Sequence, residues 1–294
     1  MEETAPEPRF LKTKNGRIAW WMCCEEGCRD NIPAVLVHGG PGDGCDPLKG
    51  PRMALGRPVY QYDQLGCGSS DPIPDPDSWT ADDYAEELAE FLDGVGIGKC
   101  ILIGASWGAG LICSYIASHG TSRIAALVLP SPFLSSEIWV DDMVTNLKSM
   151  SEGAYPRLME CIHGRGPEED ITKIMGEYNS RFLFSKPGNR EIALACASDG
   201  PNPVFAKMWG PNEMVCTGTL HDFDVTDVLP SIDVPVLYMC GDSDEVTIPT
   251  AMMYRDSTPG SALSIVQDAG HALSFEQFDI YRQCILSFLS DRGL

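Results

Sequence analysis

Positive charge is scarce in this sequence. Its 294 residues carry 42 Asp and Glu against 21 Lys and Arg, a formal net charge of −21. No basic cluster occurs, so a nucleic-acid partner is excluded, because phosphate contacts need Lys or Arg. The acidity favours cationic ligands over anionic ones. No run of 18 apolar residues exists, so neither a transmembrane helix nor a membrane partner is expected. The start, Met1-Glu2-Glu3-Thr4-Ala5-Pro6, has no apolar h-region. No secretory signal is therefore expected, and the expected compartment is the cytoplasm. The 12 cysteines lack regular spacing, and without a secretory signal a disulfide framework is not expected. Cys23, Cys24 and Cys28 cluster, but no CxxC partner or nearby His completes a zinc site. No metal or cofactor is expected, and the thiols read as small packed hydrophobes.

What is present is a rhythm of short apolar runs. Asn15-Gly16 between Phe10-Leu11-Lys12-Thr13 and Ile18-Ala19-Trp20-Trp21 predicts a β-hairpin. Six further runs are bounded by Gly, Pro or Asp. They are Ala34-Val35-Leu36-Val37, Val59-Tyr60-Gln61-Tyr62, Ile101-Leu102-Ile103, Ala126-Leu127-Val128-Leu129, Val236-Leu237-Tyr238-Met239 and Leu263-Ser264-Ile265-Val266. Near-continuous apolar strands predict a parallel sheet buried on both faces. Helical patterns alternate with them. Thr80 and Asp83 resemble a capping box, with Tyr84, Leu88, Phe91 and Leu92 on one face behind it. Tyr281, Cys284, Ile285, Phe288 and Leu289 keep helical spacing near the end. The expected fold class is α/β, a mostly parallel sheet with helices on both faces. Between Leu129 and Pro235 the strand rhythm stops for a stretch too long to be a loop. It reads as an inserted, mainly helical lid over residues 133–222, with a core of residues 1–132 and 223–294. The glycine-rich Gly94-Val95-Gly96-Ile97-Gly98-Lys99 follows a helix and precedes a strand, the reverse of a phosphate loop. It reads as a helix C-terminal turn.

Gly104-Ala105-Ser106-Trp107-Gly108 matches G-x-S-x-G between a strand and a helix. Small residues there allow a sharp turn that exposes a serine hydroxyl at the sheet end. A hydroxyl needs a base and an orienting acid. His271, after the strand Leu263 to Val266, is the candidate base. His119 sits at the wrong end of the post-serine helix, and His163 and His221 lie in or beside the lid. Asp244, in Gly241-Asp242-Ser243-Asp244-Glu245, is the candidate acid, with Asp242 as the competitor for that role; Asp242 directly follows the turn glycine and is also suited to cap the loop. The order Ser, Asp, His is the one expected for this fold. Oxyanion donors are expected from the amides of Trp107 and Gly40, the latter in His38-Gly39-Gly40-Pro41-Gly42. His38 reads as a loop organiser.

Three segments together carry a family resemblance. His38-Gly39-Gly40-Pro41-Gly42, Tyr62-Asp63-Gln64-Leu65-Gly66-Cys67-Gly68-Ser69-Ser70 and Gly104-Ala105-Ser106-Trp107-Gly108 resemble the proline iminopeptidase (prolyl aminopeptidase) family of α/β-hydrolases. Gly210-Pro211-Asn212-Glu213 and Thr217-Gly218-Thr219 extend the likeness to its tricorn-interacting aminopeptidase and amino-acid amidase type. The likeness spans nearly the whole chain and is weakest over residues 133–207. It implies a serine hydrolase that removes an N-terminal residue, proline or another, from small peptides, or hydrolyses amino-acid amides. It implies Ser106, Asp244 and His271 as triad and Gly40 and Trp107 as oxyanion hole. It also implies Glu213 and Glu245 as the pair that holds the substrate ammonium. The triad alone serves an esterase, a lactonase or a specialised amide hydrolase of a small-molecule pathway equally well. A ligand receptor on a hydrolase fold would have no use for a complete triad.

Overall fold

The computed structural model describes residues 6–46, 49–191 and 202–294. Met1-Glu2-Glu3-Thr4-Ala5, Pro47, Leu48 and residues 192–201, the last a part of the expected lid that includes Cys196, lie outside the described residues.

The strands are β1 (Arg9–Lys12), β2 (Arg17–Cys23), β3 (Ala34–Val37), β4 (Val59–Tyr62), β5 (Cys100–Gly104), β6 (Ile124–Pro130), β7 (Val236–Gly241) and β8 (Ala262–Val266). They form one sheet in the order β1-β2-β4-β3-β5-β6-β7-β8. Its first two pairings are antiparallel and the other five parallel. The expected hairpin is β1–β2, with Lys12 opposite Arg17 and a turn closed by Thr13 N–H donating to Gly16 O at 2.8 Å. Each of the six apolar runs lies within one strand from β3 to β8. Every residue of β3, β5 and β7 is buried. Successive residues of these strands point to opposite faces. Val35, Leu102 and Tyr238 enter one apolar cluster, and Leu36, Ile103 and Met239 the other.

The helices covering the sheet begin with α1 (Lys49–Met53), α2 (Ala81–Gly94) and α3 (Trp107–His119). α2 starts at the predicted capping box. Thr80 N–H and Thr80 Oγ1–H donate to the Asp83 carboxylate at 2.9 and 2.8 Å. Loss of such a cap costs about 1 kcal/mol. Tyr84, Leu88, Phe91 and Leu92 are all fully buried. The helix ends where Ile97 N–H donates to Leu92 O at 2.8 Å and Gly96 turns to φ +74°. The glycine-rich segment is thus a helix stop. The last helix, Phe278–Ser290, buries Tyr281, Ile285, Phe288 and Leu289 under the other face, with Cys284 half-buried.

Between β6 and β7 the chain runs through α4 (Ser136–Met150), α5 (Ala154–Ile162), α6 (Glu168–Tyr178), a π-helical turn Asn179–Leu183 and a short helix Pro203–Met208. α4, α5, α6 and the π-helical turn share an apolar cluster of their own that includes Leu147, Leu158, Met175 and Tyr178. Met208, Trp209 and Leu220 instead join the cluster on the sheet. The excursion is therefore packed back onto the α/β body at its C-terminal end. No helix among the described residues is long and apolar enough to cross a membrane.

Candidate active site

β5 delivers Ser106 to the first turn of α3 with φ 54° and ψ −123°. A non-glycine residue with positive φ costs about 1–3 kcal/mol and persists only where its surroundings dictate it. The surroundings are tight here. A Cβ on Gly104 would lie 2.4 Å from Gly108 O, and one on Gly108 would lie 2.3 Å from Val37 O. Ser106 N–H donates to Pro130 O at 3.1 Å, and Ser106 O accepts from Phe133 N–H at 3.2 Å. The turn is held from both sides, and the serine remains partly open to solvent.

Beyond the end of β7, Asp244 Oδ1 meets His271 Nδ1 at 2.8 Å. Asp244 Oδ2 accepts from Ser131 Oγ–H at 2.6 Å and Gly241 N–H at 2.9 Å, and Oδ1 accepts from Val246 N–H at 3.2 Å. A carboxylate so held is fixed in place and orients the ring. Asp242 does something else. It accepts from the amides of Asp268 and Ala269 at 3.1 and 3.2 Å, shaping the loop that carries the histidine. Of the other histidines, His119 stacks on Tyr115 and meets Glu86, and His221 pairs with Asp222. His163 caps α5.

The loop after β3 lies against the serine. The position a Cβ on Gly39 would take is 3.4 Å from Ser106 Cβ. Gly40 has φ +113°, and a Cβ there would fall 2.5 Å from Gly42 N. Only glycine fits. Among the described residues, neither Gly40 N–H nor Trp107 N–H donates a hydrogen bond, which leaves both amides available as candidate oxyanion donors. His38 braces this loop. Its Nε2 accepts from Gln64 N–H at 3.0 Å, its Nδ1 faces Gly39 O at 2.9 Å, and Gln64 Nε2 donates to His38 O at 3.0 Å. Burial pushes the His38 ring below its ordinary pKa. This network assigns a neutral ring with its proton on Nδ1. Gln64 Oε1 also accepts from Trp107 Nε1–H at 3.0 Å, which links both donor segments. Asp63 accepts from Cys45 N–H and Ser69 N–H at 2.8 and 2.7 Å. The Asp-Gln motif is thus a scaffold for the loop.

Carboxylates crowd the base. Glu245 is 6% exposed, and its Oε2 stands 3.7 Å from His271 Nδ1. Glu213 sits on a turn closed by the Asn212–Val215 bridge, with Trp209 Nε1–H donating to its carbonyl at 3.0 Å. Its side chain reaches solvent while protein surrounds it, the setting of a cleft wall. The surrounding protein raises the Glu213 carboxyl, and burial raises Glu245 to about 8. For His271, burial pulls the pKa down, but Glu245, Asp244 and Glu213 outweigh it and hold the ring at about 9.

One site residue escaped the sequence analysis. Asp43 Oδ2 lies 3.9 Å from the same Gly39 Cβ position that touches Ser106. Its charge acts on His38, His271 and Glu213, and the surrounding protein raises its pKa although the residue reaches solvent. Its place three residues after Gly40 was the available signal. No Lys or Arg acts on Asp43, Glu213 or Glu245 among the described residues. The charge of this cleft wall is therefore predominantly negative.

The helical excursion braces this wall. Asn146 Nδ2 donates to Asp244 O and Glu245 O at 3.2 and 3.0 Å, and Trp139 packs edge-on to His271 at 5.4 Å. Tyr178 is fully buried beside Asn146, and it feels the charges of Glu245 and Glu213. Cys67 is 1% exposed, and burial raises its thiol, so it is no nucleophile. Among the described residues, no group of three His, Cys, Asp or Glu could hold a metal ion.

Residues 33–278 match the family model of the alpha/beta hydrolase fold. A proline iminopeptidase of Heyndrickxia coagulans is 31% identical over 96% of this chain and 98% of its own length. The chain belongs to the proline iminopeptidase family of α/β-hydrolases. A proline iminopeptidase of Lactobacillus delbrueckii subsp. lactis is 27% identical over 88% of this chain and 90% of the relative. Among solved structures, the proline iminopeptidase of Mycobacterium smegmatis superposes with a TM-score of 0.82 at 24% identity, covering 97% of this chain and 98% of that one. The structure of VinJ gives the same TM-score, 0.82, at 26% identity over 98% and 99%.

Proposed function

We propose that this family member is a serine aminopeptidase that removes an N-terminal residue, proline foremost, from small peptides and hydrolyses amino-acid amides by the same route. One observation carries the reading. Glu245, the residue after the triad acid, stands 3.7 Å from the base with Glu213 close enough to act on both. Two carboxylates beside the reacting centre select a substrate whose scissile carbonyl is one residue from a free ammonium. A prolyl terminus offers two N–H donors, one for each glutamate. Each charge-assisted bond is worth about 1.5–3 kcal/mol. Relatives named proline iminopeptidase support proline as the first substrate.

Ser106 Oγ attacks the carbonyl as its proton passes to His271 Nε2. Asp244 holds Nδ1–H and stabilises the imidazolium. The oxyanion accepts from Gly40 N–H and Trp107 N–H, where loss of one donor costs about 100- to 1000-fold in rate. His271 returns the proton to the leaving amine, and water then hydrolyses the acyl-enzyme by the same exchange. Residues 133–222 act as the lid that carries Glu213, and residues 1–132 and 223–294 as the catalytic body. The free thiols among the described residues suit a reducing, cytoplasmic setting.

The test is a hydrolysis panel of prolyl, alanyl and aromatic aminoacyl arylamides, their N-acetyl forms, amino-acid amides and short esters, with Ser106→Ala as blank. Cleavage confined to free-amine substrates is the expected result. Ester cleavage indifferent to the amine would overturn the aminopeptidase reading in favour of an esterase.

A further inference from the structure

The histidine loop is joined to the helical excursion through main chain. His271 N–H donates to Phe182 O at 2.7 Å, and Ala272 N–H to Leu183 O at 3.0 Å. The approach is so close that a Cβ on Gly270 would lie 2.7 Å from Phe182 O.

A single carboxylate gathers the donors on both sides of that seam. Glu276, 7% exposed in the short helix Leu273–Glu276, accepts from Gly270 N–H at 2.7 Å, directly before the base. From the excursion it accepts Ser185 N–H and Oγ–H at 3.1 Å each, Lys186 N–H at 2.8 Å and Asn189 Nδ2–H at 2.8 Å. Lys186 Nζ donates to the Glu276 carbonyl. A carboxylate has about four lone-pair sites, so this one is saturated. None of the steps proposed above uses it.

We propose that Glu276 is a positioning residue that locks the His271 loop to residues 182–189, making the alignment of the base and the seat of the excursion one structural element. The proposal rests on the serine aminopeptidase reading for its kinetic consequence and on geometry for its structural one. Glu276→Gln keeps the shape but turns an NH2 group toward donors, which breaks the lock without a cavity. A misplaced base lowers the chemical step, by roughly 10- to 100-fold, and leaves the ammonium anchor intact.

The test compares Glu276→Gln with the parent protein by kcat and KM on a prolyl arylamide and by the low-field proton NMR signal of His271 Nδ1–H. The expected result is a lower kcat, a KM near the parent value and a broadened or lost imidazole signal in a cooperatively folded variant. Parental kcat and an intact signal would overturn it. Should that variant not fold, Ser185→Ala combined with Asn189→Ala removes donors from the excursion side and is read the same way. If the parent hydrolyses no aminoacyl substrate, the functional reading fails, and the imidazole signal alone decides the role of Glu276.

Discussion

Asp244 and Glu245, neighbours in the chain, reach the same nitrogen of the same ring: their carboxylates lie 2.8 and 3.7 Å from His271 Nδ1. One acid would suffice to orient the imidazole. The second has a different consequence, because two negative charges favour the protonated ring, and a protonated ring is no base.

Burial lowers the His271 pKa, but Glu245, Asp244 and Glu213 outweigh it and hold it near 9. In the free enzyme, activity therefore rises with pH up to a limb well above the ordinary histidine range. A bound ammonium offsets the glutamate charges, so the ring releases its proton more readily in the complex. The limb of kcat should lie at lower pH than that of kcat/KM, after correction for ionisation of the substrate amine. Glu245→Gln should move the kcat/KM limb down. Coincident limbs in both proteins would remove the coupling.

The two glutamates should act on amines alone. Glu213→Gln or Glu245→Gln is expected to raise KM for free-amine substrates by roughly 10- to 100-fold, the loss of one charge-assisted bond. On the pH plateau above the His271 limb, residual cleavage of N-acetyl analogues should stay unchanged. Equal losses in both substrate classes would sink the anchor.

Gln64 touches no proposed reacting atom, yet it joins His38 to Trp107. Gln64→Leu leaves Trp107 Nε1–H and His38 O unpaired in a buried place, at about 1–3 kcal/mol of stability. It also loosens both oxyanion donor segments. Steady-state kinetics should show kcat falling with little change in KM. A variant that loses stability but keeps kcat would confine Gln64 to folding.

Gly108 is a packing requirement. A methyl there meets Val37 O at 2.3 Å, backbone that has no room to yield. Thermal unfolding of Gly108→Ala should show a loss of about 1–3 kcal/mol or more, together with displacement of Ser106. A parental melting temperature would contradict the tight turn.

Much of this molecule was legible along the chain. The apolar runs of β3, β5 and β7 are strands because a strand buried on both faces must be apolar at every position, whereas β8 at the sheet edge is apolar though only half-buried. Thr80 and Asp83 mark a helix start, and Gly96 marks its end, because capping and positive φ are local demands. The G-x-S-x-G turn is local too, since Gly104 and Gly108 answer to contacts within one strand-turn-helix and its neighbour. The resemblance added Glu213 and Glu245, which no spacing rule would have singled out.

Other features became visible only in three dimensions. Asp242 and Asp244 are the same residue type two positions apart, and the loop path alone sends one to His271 and the other to the amides of Asp268 and Ala269. The sequence around Phe205, Met208 and Trp209 does not say whether they line a cleft or pack inside. The fold buries Met208 and Trp209 on the sheet core and packs Phe205 against them, while Trp139 meets the base. Asp43 and Glu276 carried no motif. Their roles arise from what surrounds them, His38, His271 and Glu213 in one case and the seam of residues 182–189 in the other. Sequence patterns record demands that a residue's own neighbours impose: burial period, turn sign, cap. Which carboxylate meets which donor across the sheet end is set by the packing of elements far apart in the chain, and that was decided by the tertiary structure alone.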